Sequence, residues 1–171
     1  MLTRREFVSA AALGALGGAV GARAAGTVPA PVSTQQQRAA KLPIIVSAGN
    51  GFPYLERGYR QLADGGDTLE AALAVVRGPE DDPVDDSVGL GGLPNEEGVV
   101  ELDASCMHGP SRRAGAVGGV RNIRNVSLLA REVMLHTGHV MLVGEGAERF
   151  AVARGFKRED LLTDEPRKVW L

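Results

Sequence analysis

The sequence predicts an α+β domain in which helices cover the faces of a largely antiparallel sheet. Three observations favour this class. The run at 42–48 is almost continuously apolar, as in a strand that is covered on both faces. Two helical patterns follow this run, and several short strands joined by polar turns follow the helices.

The two helical patterns have clear start and stop signals. The first helix ends at the Gly65-Gly66 pair, where glycine can adopt a left-handed cap. A capping box of Asp67 and Glu70 begins the second helix, and Gly78-Pro79 is expected to end it. The apolar stripes are Leu55, Tyr59 and Leu62 in the first helix and Leu69, Leu73 and Val76 in the second.

The stretch at 87–109 is the centre of the predicted fold. It begins with a glycine-rich bend, continues through a turn at 94–98, and ends in a strand at 99–107. Glycine permits backbone angles that other residues resist, so another part of the chain or a ligand can approach closely. A binding site is therefore expected near Ser87, and a tight bend without a ligand is the alternative. The glycines of the bend are Gly89, Gly91 and Gly92.

The second half of the chain continues the alternation of strands and helices. The run at 114–120 forms a hairpin with the preceding strand, and Asn125 is expected to cap the next helix and Gly138 to end it. A buried strand at 139–143 and a helix at 147–154 follow. Thr163 can cap a last helix, which shows no stop signal before Leu171, so we expect the chain to stop within an element. Leu129, Val133 and His136 are expected to line the buried face of the helix that Asn125 caps.

The composition excludes some classes of function. The net charge is -2 and no dense basic face is evident, so electrostatics gives no reason to expect a nucleic-acid partner. The single cysteine, Cys106, excludes an internal disulfide framework, and we expect it to be a small apolar group on its strand. Asp103 is expected to be buried and to brace the sheet through hydrogen bonds, with acid–base chemistry as the alternative.

The motifs that suggest metals or cofactors are incomplete. The segment at 80–86 carries five carboxylates but lacks the ligand spacing of a calcium loop, so a solvated acidic turn is expected. His136 and His139 belong to a helix end and the following strand, and we expect no cysteine or carboxylate partner for zinc beside them. The Gly144-Glu-Gly146 motif lacks the third glycine of a dinucleotide fingerprint, where Arg149 stands. We therefore predict neither a metal nor a cofactor.

The N-terminus has the pattern of an export signal. Thr3-Arg-Arg-Glu-Phe-Val8 is a twin-arginine motif, and an apolar run and the small-residue site Ala22-Arg-Ala24 follow it. The alternative is a membrane anchor, but the run is shorter than the about 20 residues that a bilayer span needs. We predict a signal at 1–25, a linker at 26–41 and a folded domain at 42–171, with a periplasmic or secreted location.

Three motifs carry a resemblance to a known family. They are the stretch at 87–109 that contains Ser-Val-Gly-Leu-Gly-Gly, the stretch at 114–125, and His-Val-Met-Leu-Val-Gly-Glu-Gly-Ala at 139–147. In this order they resemble the asparaginase family of N-terminal-nucleophile (Ntn) hydrolases, which includes glycosylasparaginases and isoaspartyl peptidases. The resemblance covers 42–171. It implies an αββα sandwich, of which this chain would supply the α portion only.

The resemblance also implies a mechanism. In that family the precursor cleaves itself and exposes a threonine, whose own α-amine acts as the general base. An α-amine has a pKa of about 7.7 to 8.0, so it can accept the hydroxyl proton near neutral pH. Oxyanion-hole donors then stabilise the tetrahedral intermediate at the side-chain amide of an aspartyl substrate.

No catalytic residue is assigned in this chain, because none of the threonines considered fits the start of a strand. Two prolines follow Thr27 closely, and Thr68, Thr137 and Thr163 lie in or beside helices. We expect the chain alone to be inactive, with the nucleophile in a β portion from the same precursor or from a separate chain. An (αβ)2 assembly is expected for the complete enzyme.

The resemblance places a substrate pocket around the glycine-rich bend. Ser87 matches a serine near the nucleophile of glycosylasparaginases, and its alternative role is a hydroxyl that bonds its own backbone. Those enzymes place a tryptophan in the pocket where this chain has Gly49, followed by Asn50. Because of that departure, we expect asparagine and β-aspartyl peptides as substrates rather than glycosyl-asparagine. The expected pocket residues are Ser87, Asn50, Gly49, Gly91 and Gly92.

A second class of function remains open at this stage. The chain can be a non-catalytic exported scaffold or binding protein that never acquires a nucleophile. In a third arrangement, the β portion is a separate chain that assembles with this one. The mass of the exported protein distinguishes these possibilities.

Overall fold

The computed structural model of the protein describes residues 42–171. The predicted signal at 1–25 and linker at 26–41 lie outside the described residues. In chain order, the elements are a 3-10 helix (Gly49–Tyr54), α1 (Leu55–Ala63), α2 (Thr68–Asp81), β1 (Leu102–His108), β2 (Arg113–Val120), α3 (Val126–His136), β3 (Met141–Val143), α4 (Gly144–Ala153) and α5 (Asp164–Trp170).

The strands of the described residues form a three-stranded sheet in the order β1-β2-β3. β1 and β2 pair antiparallel, which confirms the predicted hairpin, and the register shifts between Leu102 and Ala104. β3 pairs parallel to β2, and α3 is the crossover that such a pairing requires. The sheet is therefore mixed, because the helix between β2 and β3 returns the chain to the same end of the sheet.

The main core lies between the hairpin and the helices α3 and α4. Gly115 of β2 allows close packing, because a Cβ there would lie 2.2 Å from the carbonyl oxygen of Ala130 in α3. Burial of this apolar set is the main source of stability for the hairpin. The buried members are Val100, Leu102, Val117, Val120, Ile123, Val126, Leu129, Ala130, Val133, Ala147, Ala151 and Leu161.

The helices α1 and α2 form a second packed unit. Asp67 caps α2 as predicted, since its Oδ1 accepts the backbone N–H of Leu69 at 2.9 Å and of Glu70 at 3.0 Å. The predicted stripe of α2 is partly wrong, because Val76 is 43% exposed and Val75 is buried instead. Val75 faces α1, where a Cβ at Gly58 would lie 2.7 Å from its Cγ2.

The run at 42–48 forms no strand with any described residue, so the prediction of a covered strand is wrong here. Ile44 is 78% exposed and Val46 is 85% exposed, whereas Ile45 between them is partly buried. The side chain of Ile45 packs against α1, because its Cδ1 would meet a Cβ at Gly58. Apolar composition alone does not provide the backbone partners that a strand requires.

The helix α2 does not end at Gly78-Pro79, as was predicted, but continues to Asp81. Proline removes one backbone donor, and the helix tolerates this loss because the residues around it are held by packing. Gly78 lies directly against the ring of Tyr54, and a Cβ there would lie 2.1 Å from the ring carbon Cγ. Pro79 is buried, and its carbonyl oxygen accepts the N–H of Asp82 at 3.2 Å.

Both ends of α3 differ from the prediction. Asn125 occupies the N-cap position but makes no side-chain cap hydrogen bond, because its amide binds acidic groups of α2. Thr137, not Gly138, ends the helix, and its hydroxyl donates to the carbonyl oxygen of Val133 at 2.8 Å. The side chain of His136 is 44% exposed, so it does not belong to the buried face.

The segment after α3 is less buried than the sequence predicts. β3 has only three residues, and Met141 and Val143 are 53% and 59% exposed because they point away from the main core. The helix predicted at 147–154 begins earlier, at Gly144. Thr163 does precede α5, although its side chain makes no cap hydrogen bond.

No helix within residues 42–171 has both the length and the apolar character that a membrane span needs. No group of three or more histidine, cysteine or carboxylate side chains lies close enough to hold a metal ion in this part of the chain.

Candidate functional site

The structure brings two of the predicted pocket residues, Asn50 and Ser87, together around a carboxylate. Asp85 Oδ2 accepts the amide Nδ2 of Asn50 at 3.0 Å. Its Oδ1 accepts the backbone N–H of Ser87 at 2.9 Å and also the Ser87 hydroxyl. The Asn50 Nδ2 lies 3.3 Å from Ser87 Oγ. We call these three residues the Asn50–Asp85–Ser87 cluster.

Local sequence explains how each member reaches the cluster. Asn50 lies in the 3-10 helix, and Gly51 lets that helix pack against Ser47, since a Cβ there would lie 2.9 Å from the Ser47 Cβ. Asp85 and Ser87 are two residues apart, the spacing at which an aspartate accepts the backbone N–H of a following residue. The cluster is thus built from a 3-10 helix and the turn at 85–87.

The glycine-rich bend after Ser87 is fixed to the end of α2. The N–H of Leu90 donates to the carbonyl oxygen of Glu80 at 2.9 Å. Gly89 has φ +61°, and a Cβ there would lie 2.1 Å from that same oxygen. Only glycine satisfies both the left-handed backbone and the close contact.

The other predicted pocket glycines have different surroundings. Gly91 has φ +90° and donates its N–H to the carbonyl oxygen of Leu161 at 2.8 Å. Gly91 and Gly92 are buried, so in the described residues they support the bend rather than contact Asn50 or Ser87. Gly49 is exposed, and a Cβ there would meet nothing within 4 Å. The pocket role of all three glycines stays a prediction.

Glu80 is not part of a solvated acidic turn, as the sequence had suggested, because it is only 2% exposed. Its Oε1 accepts the N–H of Ser127 at 2.8 Å, and its Oε2 accepts the Ser127 hydroxyl at 2.8 Å. Asn125 Nδ2 lies 3.4 Å from Oε2 and 2.9 Å from Asp81 Oδ1. Glu80 therefore caps α3 from another helix, and its backbone carries the bend that bears Ser87.

The pKa values of Glu80 and Asp85 are shifted in opposite directions. Burial raises the pKa of Glu80 above its ordinary value, although hydrogen bonds from Ser127 and Asn125 oppose this effect. Partial burial also acts to raise the pKa of Asp85, but the hydrogen bonds from Ser87 and Asn50 outweigh it and lower that pKa. Asp85 is therefore charged at neutral pH.

A cavity of about 520 Å³ lies between the segment 45–51, α2 and β1. Asn50 is the member of the cluster that lines it, and the residue after Ser87, Val88, lines it as well. The walls are largely apolar, and their polar groups include Glu80, Ser105 and Ser127. Ligand pockets have this character, in which a few polar groups orient a molecule among apolar side chains.

Asp103 and Cys106, which the sequence analysis also considered, have structural rather than catalytic surroundings. Asp103 is exposed rather than buried, but its Oδ1 accepts the N–H of Gly119 at 2.7 Å and so braces the irregular part of the hairpin. Cys106 is partly buried against the core, and burial raises the pKa of its thiol. A raised pKa disfavours the reactive thiolate, in agreement with an apolar packing role.

Sequence reasoning missed Asp85 and the buried role of Glu80. The Asp-x-Ser spacing at 85–87 is a usable signal for Asp85, because an aspartate commonly bonds the backbone N–H two residues on. No comparable signal exists for Glu80, whose partner Ser127 is 47 residues away in the chain.

Comparison with known proteins identifies the class. A family model described as asparaginase matches residues 52–171. The chain therefore belongs to the asparaginase family, and its mixed α/β structure is consistent with such a domain.

Particular relatives sharpen this assignment. The chain is 41% identical over 140 residues to the N(4)-(beta-N-acetylglucosaminyl)-L-asparaginase of Elizabethkingia miricola, covering 81% of this chain and 41% of the relative. It is 40% identical over 136 residues to the rat protein of that name, covering 76% and 39%. It is 42% identical over 115 residues to the plant-type L-asparaginase of Pyrococcus abyssi, covering 66% and 36%. The chain thus spans about two fifths of the length of these relatives.

Proposed function

We propose that this chain is the α portion of an amidohydrolase that cleaves the β-amide or isopeptide bond of asparagine, β-aspartyl peptides or glycosyl-asparagine. The observation that carries the proposal is the similarity to relatives named as asparaginases over most of this chain. The Asn50–Asp85–Ser87 cluster, next to the mainly apolar cavity, supports a binding site at the predicted place.

The proposed reaction uses a threonine nucleophile that autoproteolysis exposes in a β portion. Its α-amine takes the hydroxyl proton, the hydroxyl oxygen attacks the amide carbon, and the amine then returns the proton to the leaving nitrogen. Water releases the aspartyl group in a second step, and the threonine is regenerated. The role proposed for this chain is to form one wall of the pocket.

The need for a β portion has structural support. Exposed apolar side chains occur on the face of the sheet away from the main core and along the segment 42–48. Exposed apolar side chains that are grouped on one face can mark a surface that another chain covers. The exposed groups include Met107, Met141 and Val143 on the sheet and Ile44 and Val46 on the segment.

We also propose export to the periplasm or the medium by the twin-arginine route, and an (αβ)2 assembly. The motif Thr3-Arg-Arg-Glu-Phe-Val8 supports export. Replacing Arg4 and Arg5 with lysine tests the route, because the precursor should then be retained in the cytoplasm of a bacterial host.

The experiment for the activity is an assay of the chain together with its nucleophile-bearing portion. Intact-mass measurement first establishes whether one or two polypeptides are present. Release of ammonia or aspartate is then followed with asparagine, a β-aspartyl dipeptide and glycosyl-asparagine. Hydrolysis of at least one supports the proposal, and the ranking of kcat/KM identifies the substrate. A correctly folded complex that hydrolyses none of them contradicts it.

The second candidate is a non-catalytic binding or scaffold protein. The positions of the threonines in the described part of the chain fit both candidates: Thr68 begins α2, Thr137 ends α3 and Thr163 precedes α5. None of these begins a strand. A secreted, stable protein of 171 residues that binds an aspartyl amide but does not cleave it would establish this alternative.

A further inference from the structure

We infer that Ser111, His108 and Asp67 form a second nucleophilic site, which accepts small carboxylic esters. Ser111 is the nucleophile, His108 is the general base, and Asp67 is a positioning residue for the imidazole ring. We call these residues the Ser111–His108–Asp67 group. The group shares no residue with the predicted substrate pocket and needs no β portion, so the inference does not rest on the proposed function.

The distances within the group are those of a nucleophile, a base and an orienting carboxylate. Ser111 Oγ lies 2.8 Å from Nδ1 of His108. On the other side of the ring, Nε2 lies 2.8 Å from Oδ2 of Asp67. This order of contacts defines a serine nucleophile by geometry and role, whatever the fold. The ring nitrogens have exchanged places relative to the common triad, but either nitrogen of a neutral imidazole can be the acceptor.

The fold holds the ring of His108 between two separate elements. His108 ends β1, and Ser111 lies three residues later in the turn before β2. Asp67 is fixed by its role as the cap of α2, because its Oδ1 accepts the backbone N–H groups of Leu69 and Glu70. Its Oδ2 is thereby left to face the imidazole ring.

The charge of Asp67 decides which ring nitrogen carries the proton. The hydrogen bond from the Glu70 N–H lowers the pKa of Asp67, with help from the Leu69 N–H and from His108, although desolvation opposes this effect. A carboxylate oxygen so close to Nε2 favours a proton on that nitrogen, which leaves Nδ1 as the acceptor. The buried Nε2 makes no well-aligned hydrogen bond within the described residues, so Asp67 acts mainly through its charge.

The hydroxyl of Ser111 is directed at this acceptor. A serine has a single proton to donate, and two acceptors of His108 are within reach. The ring nitrogen Nδ1 lies 2.8 Å from Ser111 Oγ, whereas the backbone carbonyl oxygen lies 3.5 Å away. A hydroxyl that served only to close the turn would lie nearer to the carbonyl oxygen. The proton of Ser111 therefore points to the base.

The turn presents Ser111 to a substrate. Ser111 is exposed, whereas the side chain of His108 is only 18% exposed, so a substrate can reach the hydroxyl while the ring is partly shielded from water. The turn is closed by the N–H of Arg112, which donates to the carbonyl oxygen of Gly109 at 3.1 Å. The N–H of Ser111 itself has no acceptor within residues 42–171 and is available to a developing oxyanion.

The reaction of an ester at this site has two steps. Ser111 Oγ attacks the carbonyl carbon while its proton passes to Nδ1 of His108, and Asp67 stabilises the imidazolium that forms. The tetrahedral adduct expels the alcohol, which takes the proton from Nδ1, and an acyl-serine remains. Water then attacks the acyl-serine with the same proton transfers, and the acid leaves as Ser111 is restored.

The first test measures acylation of individual serines in the full chain, purified with its nucleophile-bearing portion. The protein is treated with p-nitrophenyl acetate and quenched in acid, and peptide mapping by mass spectrometry gives the acetylation rate at each serine. Ser105 is the internal control, because it is exposed on β1 and bonds no histidine among the described residues. We expect Ser111 to be acetylated about a hundredfold faster than Ser105. Equal rates overturn the inference, and acetylation of a threonine is read on a different peptide.

The second test removes the base and the carboxylate in turn. His108→Gln should lower the acetylation rate of Ser111 about a hundredfold, and Asp67→Asn about tenfold or more. Asparagine caps a helix as well as aspartate does, so Asp67→Asn keeps the cap of α2 and removes only the charge. Asp64→Asn removes an exposed charge close by in the chain and should leave the rate unchanged. An unchanged rate in His108→Gln overturns the inference.

Two further measurements separate this chemistry from a structural role. Because Asp67 acts through the ring, Asp67→Asn should have no further effect on Ser111 in the His108→Gln protein. Added imidazole should restore acetylation of Ser111 in His108→Ala, because it replaces the missing base. A rise of the same factor at Ser105, or a full Asp67→Asn effect without the ring, overturns the assigned roles.

Discussion

The hairpin core and the site cluster of this chain are built in opposite ways. The core unites β1, β2 and α3 through apolar groups such as Val117, Leu129 and Val133, each at most 1% exposed. The cluster joins a 3-10 helix and a turn through polar groups, and Asn50 and Ser87 are exposed. The comparison shows that the stability of this domain and its proposed chemistry lie in different elements. Glu80 connects them, because its carboxylate caps α3 and its carbonyl oxygen fixes the bend after Ser87.

The largest expected effect is the loss of that connection. Glu80→Ala leaves the N–H and hydroxyl of Ser127 buried without partners, and each such group costs about 1 to 3 kcal/mol. We expect the free energy of unfolding to fall by about 3 kcal/mol or more, measured by urea denaturation of the purified protein. The exposed Glu96 provides the control, since Glu96→Ala should change it by less than about 0.5 kcal/mol. Equal effects would show that Glu80 does not join core and site.

The next largest expected effect is a loss of stability when the packing of the hairpin core is disturbed. Gly115→Ala places a methyl group 2.2 Å from the Ala130 carbonyl oxygen, so β2 and α3 must move apart. Overpacking of this kind costs about 1 to 3 kcal/mol. Gly138→Ala is the matched control, because a Cβ there meets nothing within 4 Å. A Gly115→Ala protein as stable as the Gly138→Ala protein would contradict the close packing of the hairpin against α3.

A pH experiment measures the charge on Glu80 within its buried site. The folded-state pKa of Glu80 is raised, so its contribution to stability is present below the unfolded pKa and is lost as the pH rises through the folded pKa. The wild-type protein should therefore lose stability relative to Glu80→Gln as the pH rises from the acid range toward neutrality. Urea unfolding at a series of pH values gives this difference. A difference that grows in favour of the wild type with rising pH would contradict the raised pKa.

The smallest expected effect is at the segment 42–48, where an exposed and a packed apolar side chain can be compared. In the described residues Val46 is 85% exposed and the neighbouring Ile45 packs against α1. Val46→Ser should then change the free energy of unfolding by less than about 0.5 kcal/mol, and Ile45→Ser by more than 1 kcal/mol. The measurement is repeated on the protein with its nucleophile-bearing portion. A large cost of Val46→Ser in that complex alone would identify this segment as part of the interface.

Predictions from the sequence were correct where the interacting residues are close in the chain, and wrong where they are far apart in the chain. The cap of Asp67 and the hairpin of β1 with β2 were predicted correctly, because their signals lie within a few residues. The strand at 42–48 was wrong because pairing depends on partners that composition does not specify. Glu80 was misassigned because its partner Ser127 is remote in the chain. At the site, the glycine-rich bend indicated Ser87, and the Asp-x-Ser spacing is a local signal for Asp85. The hydrogen bond that joins Asp85 to Asn50, 35 residues away, is evident only from the geometry.

The most direct test of the account is Ser87→Ala in the protein assayed with its nucleophile-bearing portion. Ser105→Ala is the control, because Ser105 is also exposed and lines the cavity beside the cluster without belonging to the cluster. We predict that Ser87→Ala lowers kcat/KM for the preferred aspartyl amide about tenfold or more, while the free energy of unfolding changes by less than about 0.5 kcal/mol. Full activity of Ser87→Ala, or an equal loss in Ser105→Ala, would contradict a functional site at the Asn50–Asp85–Ser87 cluster.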